Sequence, residues 1–167
     1  MDDATNIIYA CAMKALTTII ILFLLVANSS FAAKFDVKES LFYFKPQLSD
    51  EFEQNLKQAD AVSGQQYFER KCAQCHDGQK EGGHNKGPHL WNWYGRKAGS
   101  MTGFEYSQGM LASGHTWDFA TLNYYLTRTE RAVPGVAMNF RGIRQDDKRA
   151  QLLAYMRTLN DDLPPWL

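Results

Sequence analysis

The residues predict an all-α chain of a few helices joined by long loops. Apolar residues recur at helical spacing in four stretches, and no alternating apolar and polar run is long enough for a strand. Between Asp77 and Met101 the chain is dense in glycine and polar residues, with Gly78, Gly82, Gly83, Gly87, Pro88, Gly95 and Gly99. A loop of that length is uncommon unless something besides the chain organises it. Aromatic residues make up 13% of the 167, with 4 Trp, 8 Tyr and 10 Phe. That supply suits an aromatic core and equally the wrapping of a large flat apolar group.

The length fits one core with an extension. Lys+Arg and Asp+Glu both total 18, which gives no sign of a nucleic-acid partner. Near the N-terminus, Lys14 precedes an apolar run from Ala15 to Ala27, and Ser30-Phe31-Ala32 places small residues ahead of a cut after Ala32. This is the build of a secretory signal peptide over residues 1–32. Asp2 and Asp3 oppose the usual basic start, so translation is expected to begin at Met13. The run is shorter than the roughly 20 residues needed to cross a bilayer. Counting back to Ile7 across Lys14 keeps an uncleaved anchor open as the alternative. Export would place the chain in the periplasm or an equivalent compartment, with a membrane as partner only if the segment is retained. Cleavage would also remove Cys11.

Residues 33–62 read as an N-terminal extension and residues 63–167 as the main domain. In the extension six acids oppose four lysines, for a net −2. Pro46 among Phe42, Phe44 and Leu48 marks a turn, and Ser49 can cap a short helix with Phe52, Leu56 and Ala59 on one face. The segment could pack on the core or present a partner site. A second helix is expected over Ser63–Arg70, capped by Ser63 and leading into Cys72. A third spans Trp117–Thr129, with Phe119, Leu122, Tyr125 and Leu126 sharing a face. Pro134 and Gly135 then break the helical pattern and leave Met138 on a loop. The last helix, Asp146–Leu159, turns Leu152, Leu153, Tyr155, Met156 and Leu159 inward before the tail "LPPWL".

Chemistry concentrates in "KCAQCHDGQ", Lys71 to Gln79. A zinc knuckle would need two more soft ligands nearby, and the remaining cysteine, Cys11, lies far upstream in an apolar run. A redox dithiol would open a helix after a strand, whereas a helix here runs into the cysteines. Cys-x-x-Cys-His is also the signature of covalent haem attachment, in which Cys72 and Cys75 bond the porphyrin and His76 ligates iron. Such a reading needs a second axial ligand. His84 and His89 follow His76 closely, although chain length does not forbid either. His115 reads as an ordinary polar loop residue, Met101 and Met110 as loop methionines, and Met156 as core. Met138 places a soft thioether on the constrained "PGVAM" loop, and His/Met ligation suits an electron-transfer iron with a raised potential. With both axial positions filled, no site is open for substrate or oxygen, which argues for a carrier rather than an enzyme.

The ordered motifs "GQQYF", "CAQCH", "GPHLWNWYGRKAG", "GFEYS", "HTWDFATLNYYL", "PGVAMNFRGI" and "LLAYM" resemble the class I cytochromes c, in particular the branch of mitochondrial cytochrome c and bacterial cytochrome c2. The resemblance runs from about Gly64 to Leu159 and implies the class I fold, a few helices and long loops wrapped around one covalent haem c. It implies Cys72 and Cys75 as thioether anchors and His76 with Met138 as the axial pair. It further implies that the Pro88 carbonyl steadies the His76 ring, that Arg96, Tyr106, Ser107 and Trp117 contact the haem propionates, and that Tyr125 and Phe140 line the Met side. Gly64 and Phe68 would cross the last helix near Leu152 and Tyr155.

Departures from the family pattern are equally specific. Met110 stands where an Asn is common, Val136 replaces the Thr of "PGTKM", and Glu130 and Ala137 occupy positions usually held by lysine. Lys71, Lys86, Arg128, Arg131, Arg141 and Arg144 leave a basic face thinner than in the mitochondrial protein. The expected function is an exported one-electron carrier between a quinol-cytochrome c reductase and a terminal oxidase. The alternative is a haem module or subunit bound to a larger redox complex through residues 33–62.

Overall fold

The computed structural model describes residues 37–166, so the expected export segment lies outside the described residues. A 3-10 turn at Val37–Glu39 is followed by α1 (Asp50–Gln58), α2 (Ala61–Lys71), α3 (Gln108–Ser113), α4 (Phe119–Thr127), α5 (Thr129–Ala132) and α6 (Asp146–Arg157). Among the described residues the β-pairing is one isolated antiparallel bridge, Lys97 with Thr116. The all-α expectation holds.

Local chemistry explains where the helices begin. The Ser49 hydroxyl accepts from Phe52 N at 3.2 Å, as its position suggested, and acids fill the first turn of α1. Phe52 and Leu56 are buried by packing α1 on α6. Leu56 is 0% exposed, a burial worth about 2 kcal/mol. Residues 41 to 56 thus add to the same core as the helices that follow. In α2 the expected cap is corrected: Asp60, not Ser63, accepts from the N–H groups of Val62 and Ser63, and α2 starts at Ala61. Ser63 instead donates its hydroxyl to Asp60 at 2.7 Å.

The principal packing is the crossing of α2 on α6. Gly64 makes it possible, because a Cβ there would collide with the Gln151 carbonyl. One turn on, Phe68 meets Tyr155 with ring centroids 5.3 Å apart. Phe119, Leu122, Tyr125 and Leu126 of α4 are all buried, as their spacing required. Trp93 is buried beneath them and donates Nε1 to Met156 O at 2.6 Å.

Two further differences from the sequence reading concern α3 and α6. Met110 is not on a loop but is buried on α3, a helix capped by Ser107 and closed by Gly114 at φ 65. Six residues carry too little periodicity for sequence reading to find. The last helix ends at Arg157 rather than Leu159. Its Arg149 is only 5% exposed, yet its guanidinium donates to Asn123 Oδ1, the carbonyls of Ile143 and Arg144, and Asp146 Oδ1 at 2.7–3.0 Å. A buried cation so fully bonded ties α4 and the chain leaving the Met138 loop to α6.

Candidate functional site

Cys72 is the C-cap of α2, its N–H bonded to Phe68 O at 2.7 Å, and both Cys72 and Cys75 are free, half-buried thiols. Burial, with Cys75 nearby, pushes the Cys72 thiol up to about 11. A tight turn follows, in which the N–H groups of Cys75 and His76 both donate to Cys72 O at 3.0 and 2.9 Å. His76 Nδ1 lies 2.8 Å from the Pro88 carbonyl, so it carries the proton and Nε2 keeps its lone pair. Burial lowers the His76 pKa, and the bond to Pro88 opposes that shift. Gly87 lies against the same ring, where a Cβ would meet the imidazole atoms, and its N–H donates to Cys75 O at 2.7 Å.

Met138 sits half-buried on the loop after α5. The Tyr125 hydroxyl donates to its Sδ at 3.3 Å. Burial pushes the Tyr125 phenol far above the usual tyrosine range, so it remains a donor at physiological pH. Trp117 packs edge-on to Tyr125 at 5.2 Å. Phe140 follows the loop, and its carbonyl accepts from Thr129 Oγ1 at 2.5 Å. Gly109 of α3 allows the Pro134–Gly135 backbone to approach, since a Cβ there would strike Pro134 O.

Arg96 donates to the carbonyls of Trp91 and His89 and approaches Met101 Sδ at 3.5 Å. Tyr106 sits half-buried, its phenol raised by burial and partly lowered again by the Arg96 charge. The Ser107 Oγ accepts from Met110 N at 3.4 Å as the cap of α3, which leaves its proton free to donate.

The remaining histidines and methionines are largely committed elsewhere. His84 spans Thr102 O and the His89 N–H, and His89 Nε2 faces Gln79 O at 2.6 Å. Met110 and Met156 are core residues. His115, expected to be an ordinary polar loop residue, is instead placed with its ring nitrogens buried. Both its ring nitrogens are buried without a partner, burial lowers its pKa to about 4 against an opposing pull from Asp118, and its ring stands edge-on to Trp117 at 4.2 Å. No periodicity signals this, because His115 is positioned by backbone bonds between residues 96–98 and 115–117.

The donor set fits a haem. Two thiols on one turn can take covalent links, and the imidazole presents a lone pair with its other nitrogen fixed. A soft thioether is available on a separate loop. The unpartnered nitrogens of His115 fit a bound group that brings acceptors of its own. Among the described residues no cluster of three or more His, Cys, Asp or Glu side chains could hold a bare metal ion.

A family described as "Cytochrome c" matches residues 61–160. The chain belongs to the cytochrome c family. Curated relatives named "Cytochrome c" include one from Chlamydomonas reinhardtii, 40% identical over 98 residues that cover 59% of this chain and 88% of that protein. Another, from Theileria annulata, is 39% identical over 102 residues, covering 61% and 88%. A third, from Euglena viridis, is 38% identical over 102 residues, covering 61% and 99%. Membership in class I brings one covalently attached haem c, with Cys72 and Cys75 present as free thiols, and supports an electron-carrier role. Among the described residues no helix is long and apolar enough to cross a membrane.

Proposed function

We propose that this chain is an exported carrier that passes single electrons between a quinol-cytochrome c reductase and a terminal oxidase in the periplasm or an equivalent compartment. Cys72 and Cys75 anchor the haem, His76 and Met138 ligate its iron, and Pro88, Arg96, Tyr106, Ser107, Trp117, Tyr125 and Phe140 surround it. The haem supplies a one-electron ferrous/ferric couple when bound. Each ligand is oriented by one neighbour, His76 by the Pro88 carbonyl and Met138 by the Tyr125 hydroxyl, and this pairing is the main support. Tyr125 is buried and Pro88 half-buried, so both bonds are partly shielded from water, which strengthens them.

A groove of about 600 Å³ beside Met138 and Phe140 carries Arg128, Arg141 and Arg144 against the single acid Glu130. An acidic partner would be steered to such a surface, as weak electron-transfer encounters are. Arg131 contributes less than its sequence position suggests, because it turns back over the Tyr124 ring at 5.2 Å. A second reading, a haem subunit docked through the extension, draws on the exposure of Phe42 and Tyr43 at 54% and 66%.

Optical spectra of the purified protein in both redox states test the assignment. A sulfur-to-iron band in the oxidised form and a doubly thioether-linked haem in the denatured spectrum are expected. Loss of either one overturns the ligand or anchor assignment respectively. Co-purification with a stable complex rather than salt-sensitive encounter would favour the second reading.

A further inference from the structure

The loop bearing Met138 begins at α5, and α5 has little reason to exist by itself. It is four residues long, its N-cap Arg128 offers no side-chain hydrogen bond, and single helical turns do not persist in water. Its surroundings must therefore hold it.

Residues just ahead of α1 supply much of that hold. Leu41 N donates to Ala132 O at 2.8 Å, and the two residues are 5% and 0% exposed. The Tyr124 hydroxyl of α4 donates to Glu39 O at 2.6 Å, and the Tyr124 ring packs on Phe44 with centroids 5.1 Å apart. Ser40 is buried, and its carbonyl accepts from both Tyr43 and Phe44 N–H groups at 2.9 Å, which bends the segment back on itself. The Arg131 Nε approaches Glu39 Oε2 at 3.8 Å, an exposed ion pair that adds little. Ala132 is the last residue of α5, and its carbonyl, one of the terminal groups a helix cannot satisfy internally, is the one that Leu41 takes.

We infer that residues 39–44 are a strap that positions Met138, with Leu41 filling the space over Ala132 and Tyr124 anchoring the strap to α4. The inference rests on Met138 as the axial ligand. Val133, buried directly after Ala132, passes the constraint to Pro134 and Gly135, and the latter at φ 77 lets the chain turn toward the thioether. Releasing Ala132 O and emptying the Leu41 site lowers the cost of swinging the loop away. The strap is a positioning device, and it acts on the thioether only through α5.

External imidazole reads this directly, because it reaches ferric iron only when the thioether leaves. The holoprotein is titrated with imidazole while the sulfur-to-iron band is followed, and unfolding by denaturant is measured in parallel. Leu41→Ala is expected to tighten imidazole binding about tenfold, and Tyr124→Phe, which keeps the ring but not the donor, about threefold. Leu41→Val is expected to stay near the parent. Leu56→Ala, on the face of α1 that packs on α6, serves as the control: it lowers the unfolding midpoint while imidazole binding changes less than about twofold. Equal gains in imidazole affinity for Leu41→Ala and Leu56→Ala would reduce the strap to general stability and overturn the inference. So would strap variants that bind imidazole as the parent does while the parent shows the sulfur band. A parent without that band overturns Met138 as ligand, and the strap with it.

Discussion

The His76 side and the Met138 side of the molecule are held in different ways. Around His76 the bonds are short-range and mostly backbone: Cys72 O takes two N–H groups, Gly87 N reaches Cys75 O, Leu90 N reaches Asp77 O, and Pro88 O meets the ring twelve residues on. Around Met138 the contacts come from distant elements. Tyr125 binds the sulfur, Thr129 fixes Phe140, Gly109 admits the Pro134 backbone, and Leu41 secures Ala132. A side chain bonded by near neighbours in sequence stays in place while distant elements move. A loop held by side chains from elsewhere can be loosened from many points, so the side of Met138, the proposed second ligand, is the adjustable one.

The largest effect expected of a single change strikes the His76 side. Gly87→Val would drive its side chain into the imidazole, and a loss of about 3 kcal/mol of holoprotein stability, with poor haem incorporation, is expected by denaturant unfolding and haem quantification. A well-loaded, stable Gly87→Val protein would show that this side yields more than its bonding implies. Next comes Thr129→Val, which removes the buried Thr129 donor to the half-buried Phe140 carbonyl and is expected to cost about 1–2 kcal/mol. Here the sulfur-to-iron band should weaken while the His76 imidazole proton, followed by NMR, stays bonded to Pro88.

Tyr125→Phe is expected to cost about 1 kcal/mol and to shift the reduction potential without changing haem loading, checked by voltammetry and pigment content. The smallest effect concerns pH. Asp161 accepts from Asn92, from Lys80 and from Trp91, and these bonds hold its carboxyl down to about 2, against about 4 in an unfolded chain. Its contribution to stability is complete above about pH 4 and fades as pH falls through 4 toward 2. Asp161→Asn should flatten acid unfolding in that window alone, by a small amount because the group is exposed. Its bonds reach residues 91–92, on the His76 half of the chain, so the sulfur band is expected to stay unchanged in the same titration.

Much of this protein could be read from residue order. The cap at Ser49, the buried stripe Phe119–Leu122–Tyr125–Leu126 and the Cys-x-x-Cys-His turn are local, set by hydrogen bonds and periodicities that close within a few residues. The glycine-dense stretch after Asp77 likewise announced irregular backbone, and Gly87 against His76 shows what one of those glycines is for.

Other features depended on parts of the chain that no local pattern relates. α3 was invisible because six residues around Met110 have too few turns to repeat, and its position follows from Gly109 meeting Pro134. Ser63 and Asp60 both offer oxygens that can cap a helix, and only the path of the chain leaving α1 decided in favour of Asp60. His115 is carried to its place beside Trp117 by backbone bonds between residues 96–98 and 115–117, which no local pattern announces. Leu41, which nothing in the extension's pattern singles out, is buried and bonds through its N–H to Ala132, ninety-one positions later. Sequence by itself determined the four longer helices and the Cys-x-x-Cys-His turn, because those energies are largely local. Tertiary structure alone decided what holds Met138, because that contact joins segments brought together only by the closing of the core.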